Sequence, residues 1–189
     1  MTFSEPPMRD VAHAIGEASI RWGDIEFVLH DLCVNLAKFH DRQFEQAEAA
    51  GVMHTVLSVM DVRQRVAAAK ALAAGGLDPD LYATTEKLLN YIDNDLRNER
   101  NRFVHDNWRE RDGKIVRTKH GVRVVRPQSR MLEVQYSTAK EFTSVADVRV
   151  FADTVSTTLR DLIRLDDDLT ELYQSIWPPE GLDELAGGA

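Results

Sequence analysis

Apolar residues recur at alternating steps of three and four, with one step of seven, between about Arg9 and His40. They are Ile15, Trp22, Ile25, Leu29, Leu32 and Leu36. This period predicts an amphipathic helix with one stripe that faces a core or a partner. Gly16 and Gly23 lie seven residues apart in this helix, and each costs about 1 kcal/mol relative to alanine. We therefore expect another backbone to pack closely against them.

A second helical region is predicted over about residues 47–74, which end in an alanine-rich stretch. It stops at Gly75-Gly76, because glycine commonly follows the last turn of a helix. Ser58 or Asp61 can divide the region into two helices, since both residue types favour helix caps.

A third helix is predicted to start at Asp78-Pro79, with aspartate as the N-cap and proline in the first turn. Its apolar positions keep the helical period, and they are Leu88, Leu89, Ile92, Leu96 and Phe103. We expect this helix to end by Gly113.

The period changes to two after Gly113. Lys114–Lys119 and Val122–Arg126 are predicted as strands on either side of a turn at His120-Gly121. The alternation of Leu132, Val134 and Tyr136 with polar residues predicts a third strand.

A last long helix is predicted to be capped by Thr143 or Ser144 and to end before Pro178-Pro179. Its stripe consists of Val148, Phe151, Val155, Leu159, Leu162, Leu169, Leu172 and Ile176. The pattern as a whole predicts a mainly α protein, a bundle of four or five helices. A small β-hairpin or meander is inserted at about residues 113–137, before the last helix. We expect a single domain over residues 1–180 and a flexible tail at 181–189.

Composition narrows the class of protein. The chain has 189 residues and contains no apolar run of membrane-spanning length. Its N-terminus does not have the basic and apolar regions of a secretory signal, so we expect a cytoplasmic protein. Cys33 is the only cysteine, which excludes an intramolecular disulfide and a cysteine-based metal site.

The charge is distributed unevenly along the chain. The net charge of −8 argues against nonspecific coating of nucleic acid. Residues 97–130, however, carry 11 basic and 4 acidic side chains, a net charge of +7, whereas residues 1–96 carry −7 and residues 131–189 carry −8. One basic segment in an acidic protein indicates an anionic partner.

The basic segment contains Arg100-Asn101-Arg102-Phe103-Val104-His105. These six residues resemble the Arg-Asn-x-x-x-His signature of the HEPN superfamily, and Asp106-Asn107-Trp108 resembles the polar ending that often follows it. The resemblance implies an all-helical bundle with the motif on a late helix. It also implies a metal-independent endoribonuclease, often a toxin or defence protein, with a composite site at a homodimer interface. Many relatives are noncatalytic binding or scaffolding modules.

The resemblance assigns catalytic roles to Arg100, Asn101 and His105, with no metal and no cofactor. A neutral imidazole at His105 can accept the proton of the RNA 2′-OH, or an imidazolium can protonate the leaving oxygen. Arg100 can stabilise charge on the phosphoryl oxygens, and Asn101 can orient His105 or the phosphate. The implied products are a 2′,3′-cyclic phosphate and a 5′-hydroxyl, and DNA should resist cleavage.

Helical geometry places a condition on this site. Arg100 and His105 lie five residues apart, about 140° around an ideal helix. Arg100 therefore projects near the apolar seam, and His105 projects nearly opposite to it. Either the helix bends or ends near His105, or a second subunit completes the site. A homodimer is the more economical of these alternatives.

The remaining basic side chains are candidates for RNA binding. They are Arg97, Arg102, Arg109, Arg111, Lys114, Arg117, Lys119 and Arg123, with Arg126 and Arg130 further along. Alternatively, they are solvated charges that prevent edge-to-edge pairing of strands, or they bind an acidic partner protein such as an antitoxin. Arg100 can likewise be a structural ion-pair partner, in which case the protein is a noncatalytic interaction or nucleotide-binding module.

Overall fold

The computed structural model describes residues 6–41, 46–111, 114–125 and 133–178. The chain divides into two compact units. Unit 1 combines the chain up to Arg21 with Arg97–Ser156, and unit 2 combines Trp22–Leu96 with the chain from Thr157 onward. Arg126, Arg130, Gly113 and the predicted tail at 181–189 lie outside the described residues.

Helices account for most of the described residues. They are α1 (Pro6–Lys38), α2 (Ala47–Ser58), α3 (Val62–Gly76), α4 (Pro79–Tyr91), a π-helical turn (Ile92–Leu96), α5 (Arg97–His105) and α6 (Val145–Ile176). α4, the π-helical turn and α5 follow one another without a break and count as one helix. The described part of the chain therefore contains five helices. The prediction of a mainly α bundle with a small β insertion is confirmed.

Polar caps define the helix starts that the sequence predicts. Asp61 forms a reciprocal capping box with Gln64, so the second helical region does divide between Ser58 and Asp61. The Asp78 carboxylate accepts hydrogen bonds from the first backbone amides of α4. Ser144 and Asp147 exchange side-chain hydrogen bonds with each other's backbone N–H groups at the start of α6, at 3.1 and 2.8 Å.

Three antiparallel strands form one sheet in the order β1-β2-β3 within unit 1. They are β1 (Asn107–Arg111), β2 (Lys114–Val125) and β3 (Glu133–Phe142). Trp108 lies opposite Arg117 across β1 and β2, and Thr118 lies opposite Lys140 across β2 and β3.

The predicted bounds of the β insertion were wrong. Strands extend over 107–142 instead of 113–137, and the preceding helix ends at His105. The predicted turn at His120-Gly121 lies inside the continuous strand β2. The sequence of β1 does not alternate between apolar and polar residues. These residues form a strand because their backbone pairs with β2.

The apolar stripes form the cores, with Ile25, Leu29, Leu32 and Leu36 of α1 fully buried in unit 2. The predicted α6 stripe is buried from Val148 to Leu169. Its last residues are more accessible to solvent, and Ile176 is exposed. In the part of the chain that the structure describes, no helix combines the length and apolar character needed to cross a bilayer.

Candidate functional site

The Arg-Asn-x-x-x-His motif lies on α5, directly after the π-helical turn Ile92–Leu96. This is the late helical position that the resemblance implied. π-helical turns interrupt the regular α-helical register and are often found at functional sites. His105 is the last residue of α5, so the helix ends at the residue proposed for acid-base chemistry.

The three predicted catalytic side chains have different environments. Arg100 and Asn101 are half-buried, and Arg100 Nη1 donates a hydrogen bond to Asn101 Oδ1 at 3.2 Å. His105 is exposed. The structure therefore brings Arg100 and Asn101 together, and it leaves the imidazole of His105 on the surface of unit 1. The α-helical conformation of residues 97–105 preserves the angular separation between Arg100 and His105.

A buried cluster anchors the C-terminal end of α5. Phe103, with 4% of its surface exposed, stacks on Phe151 of α6 and on Trp108 of β1, with ring centroids 4.5 and 5.7 Å apart. The Trp108 indole N–H donates to the Phe103 carbonyl oxygen at 2.9 Å. These contacts connect the start of β1 to the last turn of α5.

Arg117 completes this cluster. Its Nε atom lies 2.7 Å from an Asp106 carboxylate oxygen, and the two side chains are only 7% and 13% exposed. Its guanidinium carbon lies 4.7 Å from the Phe103 ring centroid and 5.7 Å from that of Trp108, within the range of cation-π attraction. Arg117 was a predicted RNA-binding residue, but the structure places it in an internal ion pair.

The other predicted RNA-binding side chains differ in exposure. Arg102, Arg109, Arg111 and Lys114 are exposed, whereas Arg97 and Lys119 are half-buried. Arg111 and Lys114 are direct cross-strand partners, and Arg109 lies two residues before Arg111, so the three share a face of the sheet. The side chain of Arg123 lies outside the described residues.

Sequence reasoning missed Lys140. It is exposed and lies opposite Thr118, which itself pairs with Asn107. Lys140 therefore shares the face of the exposed β1 side chains, although it lies outside the basic segment 97–130. Only the strand register reveals this cation, because nothing in the local sequence distinguishes it.

Two further candidate features lie in unit 2. A pocket of about 440 Å³ between α4 and α6 is lined mainly by Leu81, Leu88, Tyr91 and Leu165, with Lys87, Asp161, Arg164 and Asp168 also present. Separately, His30 and His54 contact each other beside Asp31. No histidine pair has metal-ligand spacing in the sequence, so only the packing of α1 with α2 reveals these three groups as potential metal ligands.

Comparison with protein-family models gives no match, and neither the curated proteins nor the solved structures give a significant match to this chain.

Proposed function

We propose that this protein is a metal-independent endoribonuclease of the HEPN type, in which His105 carries out acid-base catalysis. The observation that supports this most is the position of His105. Its imidazole is exposed at the end of α5, one turn beyond the Arg100-Asn101 contact. Arg102 is exposed three residues before His105, close enough on a helix surface to contact the same phosphate.

The proposed reaction uses the nucleophile that RNA itself carries. The 2′-oxygen attacks the adjacent phosphorus while the 2′-OH proton moves to the neutral imidazole of His105. The bond from phosphorus to the 5′-oxygen breaks, and the departing oxygen receives a proton from an imidazolium or from water. Arg100 stabilises the added charge on the phosphoryl oxygens. The products are a 2′,3′-cyclic phosphate and a 5′-hydroxyl.

The exposed cations of the sheet provide the proposed path for the RNA backbone. Arg109, Arg111 and Lys114 share one face, and Lys140 extends this set. Phosphate contacts of this kind give affinity without sequence preference, and they weaken as salt rises. We therefore expect RNA binding to depend strongly on ionic strength.

We further propose that the active form is a homodimer in which Arg100 of one chain and His105 of its partner act on the same phosphate. The exposed face of α1 supports this proposal. Ile20 and Phe27 are 69% and 66% exposed, and they alternate along the helix with Gly16 and Gly23. A Cβ atom built on either glycine meets no atom within 4 Å, so the close backbone approach predicted there has no partner in the described part of this chain.

Cleavage of a single-stranded RNA in the presence of EDTA tests the enzymatic proposal. We expect the wild type to produce cyclic phosphate ends and His105→Ala to lose cleavage by about 10²–10⁴-fold. His13→Ala is the matched control, because His13 is also an exposed helical histidine of unit 1. No cleavage by the wild type, or equal cleavage by His105→Ala, would contradict the proposal.

Mixing of two inactive variants tests the shared site. His105→Ala and Arg100→Ala should each be inactive alone, and their mixture should recover part of the activity because a heterodimer contains one intact Arg100–His105 site. Phe27→Glu should yield monomers in light scattering and lose cleavage. Full activity in such monomers would eliminate the shared site while leaving His105 catalysis intact.

The second candidate function is an RNA-binding module without catalysis. The hydrogen bond between Arg100 and Asn101 favours it, because it engages both side chains within one helix. This alternative predicts salt-dependent RNA binding that is weakened by Arg109→Ala together with Arg111→Ala, with no cleavage by any variant.

A further inference from the structure

Two histidines of unit 2 meet although they lie 24 residues apart in the sequence. His30 of α1 and His54 of α2 have nearly parallel ring planes, inclined by 18°, with ring centroids 4.8 Å apart. His30 Nε2 and His54 Nδ1 are separated by 2.6 Å. A carboxylate oxygen of Asp31 lies with these nitrogens in a group whose atoms are all within 4.8 Å of one another.

The contact between the two imidazoles requires one shared proton. One of the two nitrogens donates the proton and the other accepts it with its lone pair, so His30 Nε2 and His54 Nδ1 cannot both be protonated. The pKa of His30 is lowered from its ordinary value, first by burial and then by His54 and Arg65, against an opposing effect of Asp31. The unprotonated ring nitrogen with its lone pair is the form that binds metals.

We propose that His30, His54 and Asp31 bind a divalent transition-metal ion of the Zn²⁺ class, which links α1 to α2. Two imidazole nitrogens and one carboxylate oxygen form a donor set that suits zinc, and remaining coordination positions are left for water or another ligand. The metal would take the place of the proton that the two rings now share.

The neighbouring thiol does not belong to this donor set. Cys33 is fully buried, and its Sγ atom lies 3.5 Å from the Arg65 carbonyl oxygen. The group of potential ligand atoms that all lie within 4.8 Å of one another consists of His30, Asp31 and His54 and does not include this thiol. The proposed site is therefore a nitrogen and oxygen site.

Small side-chain movements bring the three donors to coordination distance. Ligands about 2.0–2.2 Å from a tetrahedral zinc lie roughly 3.4 Å from one another. The 2.6 Å nitrogen contact has to widen slightly, and the carboxylate has to move closer. His54 is exposed, so its ring can rotate without disturbing a core.

The nearby positive charge of Arg65 opposes a bound cation, but backbone carbonyls hold this side chain. Its Nε donates to the Leu57 carbonyl oxygen at 3.1 Å, and its Nη1 donates to the Glu26 carbonyl oxygen at 2.9 Å. Asp31 supplies the compensating negative charge to the metal site itself.

Titration calorimetry with ZnCl₂ on the 189-residue chain, freed of tags and treated with chelator, tests the proposal. We expect one Zn²⁺ per chain and at least tenfold weaker binding by His54→Ala, with a smaller loss for Asp31→Asn. His13→Ala is the control, since His13 is an exposed histidine on the same helix as His30. Absence of binding to the wild type, or equal affinity of His54→Ala, overturns the site.

Cobalt provides a second measurement that reports coordination directly. Co²⁺ should give visible absorption bands with the wild type and lose them with His30→Ala and with His54→Ala, provided that circular dichroism shows both variants to be folded. Unchanged bands in both variants would place the metal elsewhere. This site does not rest on the proposed ribonuclease activity, which should persist in chelator.

Discussion

The Arg117–Asp106 ion pair of unit 1 and the His30–His54 contact of unit 2 combine their polar groups in different ways. In unit 1, Arg117 and Asp106 form an ion pair of opposite charges beside two aromatic rings. In unit 2, His30 lies near His54, Arg65 and Asp31, and Asp166 lies near Asp31, Asp167 and Lys38. The Arg117–Asp106 pair thus joins opposite charges, whereas the His30 cluster brings two imidazoles and the Arg65 guanidinium together beside one carboxylate, that of Asp31. Elsewhere in unit 2, Lys70 and Glu86 form a salt bridge at 3.5 Å.

This difference separates a structural cluster from a candidate ligand site. In a buried pair of opposite charges, the mutual attraction offsets part of the desolvation cost of each member. Titratable groups of like charge that lie close together favour their neutral forms, and a bound ligand of opposite charge stabilises their charged forms. Shifted pKa values therefore often mark functional sites. By this criterion an internal ion pair supports the end of α5 in unit 1, and the His30, His54 and Asp31 group of unit 2 is the candidate cation site.

The largest expected effect comes from breaking the ion pair of unit 1. Asp106→Ala leaves the buried Arg117 guanidinium without its carboxylate, and it should destabilise unit 1 by about 3–5 kcal/mol. Hydrogen exchange of β1 and β2, followed by mass spectrometry, should show faster exchange than in the wild type.

Arg109→Ala is the matched control for this prediction. Arg109 is an exposed cation on β1, so its removal should change stability by no more than about 0.5 kcal/mol. Equal and small effects of Asp106→Ala and Arg109→Ala would show that the ion pair does not support the end of α5.

An effect of intermediate size should come from the helix caps, since each unit contains a helix whose start is capped by a polar side chain. Asp78→Ala removes the acceptor for two amides of α4 in unit 2, and Ser144→Ala removes half of the reciprocal cap of α6 in unit 1. Each should cost about 1 kcal/mol in denaturant unfolding. Substitution by glycine should cost only a few tenths, and an equal loss with glycine would argue against a capping role.

The smallest effect concerns the pH dependence of unit 2. The pKa of Asp166 is raised, first by burial and then by Asp31 and Asp167, although Asn35 donates a hydrogen bond to it and Lys38 is nearby. Because the folded carboxyl binds its proton at higher pH than the unfolded one, its contribution to stability falls as the pH rises between the two pKa values.

Asp166→Asn should remove this dependence. The stability of the variant relative to the wild type should increase as the pH rises through that acidic window, and it should then stay level up to neutral pH. Denaturant unfolding at several pH values measures this difference. Asp153→Asn, the same substitution at an exposed position of α6, is the matched control variant. A trend of opposite sign would mean that the hydrogen bond from Asn35 outweighs burial.

Local sequence signals predicted the helices well because each signal acts within a few residues. The Asp78-Pro79 start, the break between Ser58 and Asp61, and the cap at Ser144 are all present in the structure. The strand β1 was missed, since its residues Asn107–Arg111 depend on hydrogen bonds to β2. The same non-local pairing placed Lys140 beside the basic face.

The sequence by itself determined the helical stripes, the main helix starts and the basic segment with its Arg-Asn-x-x-x-His motif, because periodicity, capping and charge are properties of neighbouring residues. Only the tertiary structure decided which of these side chains are available. It placed Arg117 in an ion pair, left His105 exposed and joined His30 to His54 across 24 residues. Burial and long-range contact are created by packing, and they have no local signature in the chain.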